Sequence, residues 1–343
     1  MSGSTAAGVG VGPAPRPAAA AVHLFERRAM GSPLRLTLVE VGEGPAAAAW
    51  ASVSAAIERA EQALSRYRET SDLTALNRRA GDPDPGPVGR KLGAALAVAD
   101  RAHRLTGGAF DPRILADMER LGWEGTPLPG TGATVAGATS IARSATFAGG
   151  RWLQSDPRAG TAAVATPVDL GGIGKGLALR WAFAALRAEL PGLGSSAGAL
   201  LEAGGDVVAE GPAPQPGPWL VGIEDPLGGP VERAVVAVDR GAVCTSSVRV
   251  NARVALDGRP VHHLLDPRTG EPGGTGLLAV TVAGPDPAWA EVWSKTLFLQ
   301  GAPGIGPAAR ARGLAAWWVT LERTLEMTPA ARQLTAWEGY PGA

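Results

Sequence analysis

The stretch AVATPVDLGGIGKGLALRWAFAALRAEL, residues 163–190, decides how the rest of the chain is read. A short apolar run from Ala163 to Val168 has the look of a strand. A glycine bend follows from Asp169 to Gly176, and a helix pattern runs from Ile173 to Leu190. Strand patterns recur downstream at Trp219 to Ile223, Ala234 to Val238, Leu277 to Ala283 and Ala315 to Leu321, with a second helix pattern at Pro287 to Gln300. Upstream, His23 to Met30 and Leu34 to Glu40 read as strands about a turn at Gly31 to Pro33. Ala46 to Tyr67 and Arg90 to Leu105 read as helices, the second stopped by Gly107 and Gly108. Strands and helices mix without a strict βαβ rhythm, which predicts an α+β fold rather than a doubly wound sheet. No repeat at a period of 20 to 50 residues is visible.

Composition narrows the function classes. The chain has 343 residues, 45% hydrophobic and 19% charged, enough for a sizeable core. Lys+Arg 32 balance Asp+Glu 32, so the basic field of a nucleic-acid binder is missing. A single cysteine excludes a disulfide framework and a Cys-rich metal site, and four histidines argue against a poly-His cluster. The opening 20 residues, rich in Ala, Gly and Pro, lack the basic and apolar regions of a signal peptide or lipoprotein signal. They read as a flexible tail before one domain over 21–343. No run of 18 apolar residues occurs, so the expectation is a cytoplasmic protein without a transmembrane segment. Residues 125–150, poor in information, read as a surface loop or two weak strands.

Several segments have the composition of a site, each with a structural alternative. At Asp169 to Gly176, glycines admit backbone N–H groups to an anion, the helix start favours negative charge, and Lys175 adds a cation. The pattern departs from a Walker loop, since Asp169 and Gly176 stand where Gly and Ser or Thr belong. A glycine turn with a solvated lysine is the competing reading. Gly204, Gly205 and Asp206 could admit a ligand ring or could form a hairpin turn. Asp111-Pro112, Asp225-Pro226 and Asp266-Pro267 are ordinary turn pairs. His262 and His263, read as strand residues, would face opposite sides, and most lone histidines are structural. Thr245 and Ser246 suit a phosphate or a turn equally, and Cys244 reads as a small buried hydrophobe. In the last helix Glu291 and Lys295 have the spacing of an exposed surface ion pair, worth about 0.3–0.5 kcal/mol.

Taken in order, these segments resemble the ApbE family of FAD:protein FMN transferases. The resemblance runs from about Val22 to the C-terminus. It includes Met30-Gly31-Ser32, Glu61 to Tyr67, Ser71, Leu76-Asn77, Gly108 to Pro112, Asp169 to Gly176, Ala203 to Asp206, Trp219 to Pro226, Thr245-Ser246 and His263 to Gly270. It implies an α+β fold related to T-fold proteins, with FAD in a cleft. The reaction it implies moves FMN from FAD to a threonine hydroxyl of an acceptor flavoprotein and releases AMP. By analogy Met30, Phe110, Asp111, Asp169, Gly172, Lys175, Gly204, Gly205, Asp206, Thr245, Ser246 and His263 would hold FAD, with Lys175 on the pyrophosphate. His263 and Lys295 would be catalytic.

One departure from the family bears on a cofactor. Where the family has Ala-Asp-x-x-x-Thr, with Asp and Thr on magnesium, this chain has Ala290-Glu291-Val292-Trp293-Ser294-Lys295. Glu291 keeps a carboxylate for Mg²⁺, but the ammonium of Lys295 donates only and repels a divalent ion. Either Lys295 takes the metal's place as a fixed positive charge, or the chain binds FAD without transferring it. Hydrolysis of FAD, with water replacing the threonine, is a third possibility. Ser247 replaces the family's Gly, which would tighten the loop.

Overall fold

Alternation puts Leu34, Leu36 and Leu38 on one side of the strand Ser32–Val39, all of them buried. The chain's architecture, from a computed structural model, covers residues 21–124, 145–249, 252–255 and 258–339. Its main sheet is antiparallel. The strand order is Val22–Ala29, Ser32–Val39, Gly198–Ala203, Asp206–Glu210, Arg240–Ser247, Leu277–Gly284, Ala315–Thr320 and Leu325–Met327.

Both faces of the sheet are covered, so its central strands read as continuous apolar runs. Val208 and Cys244 point to one face, where the helices Glu43–Leu64 and Gly174–Glu189 pack through Val53, Ile57, Leu179 and Phe183. Val207, Ala209 and Val243 point to the other, against the smaller sheet of Trp219–Ile223, Ala234–Val238 and Thr335–Glu338. A third core joins the helix Arg90–Leu105 to the hairpin Leu153–Asp156 and Thr161–Val164 through Leu92, Leu96 and Val164. A fourth gathers Met118, Leu121, Trp123, Val261 and Leu265.

The α+β expectation holds, and several elements fall where periodicity puts them. The helix Arg90–Leu105 ends in a Schellman motif: the Gly108 N–H donates to the His103 carbonyl at 2.9 Å and the Gly107 N–H to Arg104 at 3.2 Å.

Other boundaries move. The first helix is Glu43–Leu64 and stops before Tyr67, because the chain turns at Ser65 and sends the Arg66 side chain into the interior while Tyr67 stays exposed at the cavity's rim. The strand expected over Ala163 to Val168 is Thr161–Val164. Pro167 cannot donate to a ladder, and instead the Asn77 side chain clamps Val168 with two 2.9 Å hydrogen bonds. His262 and His263 lie outside any strand, between Pro260–Val261 and Leu265–Asp266, so the opposite-faces argument does not apply to them. Residues 1–20 and 125–144 lie outside the described residues; Phe147 bridges Arg151 in a turn just after the second of these.

Candidate active site

A cavity of about 610 Å³ opens where the main sheet meets the third and fourth cores. That volume is within the range of pockets that take small-molecule ligands. Met30, Phe110, Asp111, Asp169, Gly172, Lys175, Gly204, Thr245, Ser246, His263 and Lys295 all border it. The residues come from distant parts of the chain, and the hairpin turns and helix ends bring them together.

Part of the glycine bend's backbone is engaged within the protein. Gly171 donates to Asp169 Oδ1 at 2.6 Å, Ile173 and Gly174 donate to the Leu170 carbonyl, and Gly176 donates to Glu291 Oε2 at 2.8 Å. The side chains of Lys175 and Lys295 bring positive charge to the cavity wall. At Gly172 a Cβ would lie 3.0 Å from the Phe110 ring, which would have to shift slightly, and 3.5 Å from the Lys295 stem, an ordinary contact. Gly176 permits backbone contact between two helices, since its Cβ would fall 2.5 Å from Ala288 Cα.

Two lysines reach the wall, each standing on a carboxylate that is only 1% exposed. Lys175 Nζ donates to Asp206 Oδ2, and Asp206 Oδ1 also accepts the Thr245 N–H at 3.1 Å. Burial disfavours the Lys175 ammonium, but Asp206 and then Glu291 outweigh it and raise its pKa above the ordinary lysine value. Lys295 Nζ lies 3.1 Å from Glu291 Oε1. Asp206 and Glu291 thus sit beneath the surface as anchors rather than in the cavity, and Gly205 is an exposed hairpin-turn residue at φ +86°. The expected exposed Glu291–Lys295 pair is in fact buried on the acid side and largely covered on the lysine side.

Magnesium does not fit this donor set. Both Glu291 oxygens already accept hydrogen bonds, and the nearest neighbour of one of them is an ammonium. Among the described residues no group of three or more His, Cys, Asp or Glu is placed to hold a metal ion. Thr245 and Ser246 border the cavity with hydroxyls that pair at 2.8 Å with Thr281 and Ser294. Cys244 is fully buried, and burial pushes its thiol pKa well above the ordinary value.

His263 borders the cavity from the turn after Pro260–Val261, next to Leu264 and Leu265. His262 is turned away: its ring meets Phe298 edge-on at 5.6 Å, and burial lowers its pKa. Asp111 and Asp266 share a clasp. In each, the arginine two residues on, Arg113 or Arg268, wraps the carboxylate with its own N–H at 2.9 Å and its guanidinium.

Arg66 was missing from the residues read as the site. Its guanidinium is 5% exposed and contacts Asp169 at 2.5 Å, the Trp123 carbonyl at 2.7 Å and the Tyr67 hydroxyl at 2.7 Å. Glu61 is a second omission. It accepts the Met30 N–H at 3.2 Å and holds that non-glycine residue in a left-handed turn at φ +50°. The available signal was a charged pair flanking the end of a helix otherwise rich in alanine.

The ApbE family model matches residues 30–318. An FAD:protein FMN transferase of Klebsiella pneumoniae (strain 342) is 27% identical over 307 residues, 87% of this chain and 84% of that protein. A second, from Salmonella typhimurium, is 27% identical over 310 residues, 88% and 85% of the two chains. Among solved structures, the apo flavinyl transferase ApbE of Pseudomonas stutzeri superposes with a TM-score of 0.76 at 27% identity, covering 92% of this chain and 97% of that one. The ApbE protein of Thermotoga maritima shares the fold with a TM-score of 0.79 at 24% identity, over 92% and 99%.

Proposed function

Because the chain belongs to the ApbE family, we propose that it, a transferase by family, moves FMN from FAD to a threonine hydroxyl of an acceptor flavoprotein. Residues 21–343 act as one unit in this reading. The observation that carries it is the pair of ammonium groups, Lys175 and Lys295, fixed on buried carboxylates in the wall of the cavity that His263 also borders. A diphosphate is the part of FAD that such a pair suits.

The acceptor oxygen forms a bond to the phosphorus on the FMN side while the bond from that phosphorus to the bridging oxygen breaks, and AMP leaves with the bridging oxygen. His263, which borders the cavity, takes the hydroxyl proton as general base. Positioning and charge neutralisation supply most of the rate enhancement in such a displacement. Lys175, held by Asp206, has further N–H donors for a phosphate oxygen. Arg66 keeps Asp169, and through it the glycine bend, in place.

The test is incubation of the purified chain with FAD and an acceptor domain, read by flavin fluorescence on the denatured acceptor. Covalent flavin supports transfer. Free FMN and AMP without a labelled acceptor would show hydrolysis instead, and bound FAD without turnover would show a binding protein. No affinity for FAD would refute the proposal. No helix among the described residues is long and apolar enough to cross a membrane; we place the chain in the cytoplasm on the expectation drawn from its sequence.

A further inference from the structure

We propose that Lys295 is a built-in cation that does the work a divalent ion would do, so that FAD binds this chain with equal strength whether or not magnesium is present. The inference rests on reading the cavity as an FAD site.

Three observations carry it. The first is the donor set: Glu291 gives Oε2 to the Gly176 N–H at 2.8 Å and Oε1 to Lys295 Nζ at 3.1 Å. Magnesium needs oxygen donors at about 2.0–2.1 Å in octahedral array, and here an ammonium occupies the position beside the carboxylate. The second is burial. Glu291 is 1% exposed, so its charge needs a permanent partner, whereas Lys295 is 18% exposed on its side chain and borders the cavity. A partly covered ammonium on a buried carboxylate interacts with a bound phosphate more strongly than a solvated lysine does.

The third observation is how the cation is fixed. The glutamate reaches the first turn of the helix Gly174–Glu189 from the helix Pro287–Phe298. Its carboxylate therefore ties Lys295 to the same glycine bend that holds Lys175. A Cβ at Gly172 would lie 3.5 Å from Lys295 Cδ, an ordinary contact distance, so the lysine stem runs alongside the glycine bend. Ser294, between the pair, donates to the Glu291 carbonyl at 2.9 Å and pairs with Ser246 of the cavity wall at 2.8 Å. The helix turn that carries Lys295 is thereby tied both to the glycine bend and to the strand of Ser246.

The experiment measures FAD affinity by quenching of flavin fluorescence in EDTA and in excess Mg²⁺, with Mn²⁺ binding followed separately by electron paramagnetic resonance. The intact chain is expected to bind FAD equally, within about twofold, in both conditions and to leave Mn²⁺ free. Lys295→Met should weaken FAD at least about tenfold in both, the loss of one charge-assisted contact. That variant leaves Glu291 without its counterion, so folding is checked by circular dichroism. Lys295→Arg, which keeps the charge pair, should bind FAD as tightly in EDTA as in Mg²⁺ even if the methionine variant does not fold. Glu291→Asp combined with Lys295→Thr, which offers a carboxylate and a hydroxyl, should bind FAD tightly only with Mg²⁺.

A tenfold gain in the affinity of the intact chain on adding Mg²⁺, or EDTA-sensitive binding in Lys295→Arg, overturns the inference and leaves the FAD reading standing. Undiminished binding by folded Lys295→Met does the same. Absence of FAD binding by the intact chain in either condition overturns the underlying reading and this inference with it.

Discussion

Asp206→Asn removes one charge from beneath the cavity while leaving its shape almost unchanged, since the amide oxygen can still accept the Thr245 N–H. In the intact chain the pKa of Lys175 is raised above its ordinary value of 10.5. A cation raised in this way contributes stability that is complete below the unfolded pKa and lost only as pH climbs past it. Stability owed to Lys175 is therefore flat from neutrality to about pH 10 and falls beyond. In the variant, burial is the largest influence left, and Glu291 is already answered by Lys295. The lysine pKa then drops below its ordinary value, the fold favours neutral lysine, and stability rises with pH over the same window.

Removing one partner of a buried pair costs about 3–5 kcal/mol. Lys175 keeps 28% of its side chain exposed, so a loss of about 2–3 kcal/mol at neutral pH is expected, or roughly 3–4 °C in Tm for a chain of this length. Urea denaturation of both proteins across a pH series measures it. A loss below about 0.5 kcal/mol, or a variant whose stability is flat or falls with pH like that of the intact chain, would refute the account of how Lys175 is held.

Further outcomes follow from single contacts. Gly176→Ala drives a methyl into the Pro287–Ala288 backbone and should cost about 1–3 kcal/mol or more in denaturant melts; an unchanged midpoint would mean the helices separate freely. His263→Ala should slow acceptor labelling about 10²–10⁴-fold while FAD quenching stays within a few-fold, and an equal loss in both would make the histidine a binding group. Cys244 should resist iodoacetamide in the native chain and react only as it unfolds; labelling at the rate of a free thiol would contradict its burial. Arg66→Ala strands Asp169 in the interior, with an expected loss of about 3–5 kcal/mol.

Much of the fold was legible because period decides it. Trp219–Ile223 and Ala234–Val238 fall on the predicted residues, and the helix Arg90–Leu105 stops at its glycines. Lys175 stands out in the sequence because a glycine bend leads into its helix, and it borders the cavity; Gly172 and His263, which border it too, come from the family resemblance. What could not be read was how far each charge is buried. Spacing alone gives Glu291 and Lys295 the same i, i+4 relation whether the helix face is wet or packed, and only the contact with Gly176 shows which. Arg66 lies within the Glu61 to Tyr67 stretch of the resemblance, but its role does not show there, because its partner Asp169 is far along the chain and no local pattern links them.

The strand Ser32–Val39 lies directly beside Gly198–Ala203, yet all of residues 40–197 come between them. During synthesis the first hairpin leaves the ribosome with one edge bare and waits for most of the cavity's wall to be made before that edge is covered. Closing so long a loop carries an entropic penalty that grows only as the logarithm of its length, but the delay is set by translation. A nascent chain halted before residue 198 therefore holds an unpaired strand, a template for aggregation, and the sheet beside the cavity is complete only once the second half of the message has been read.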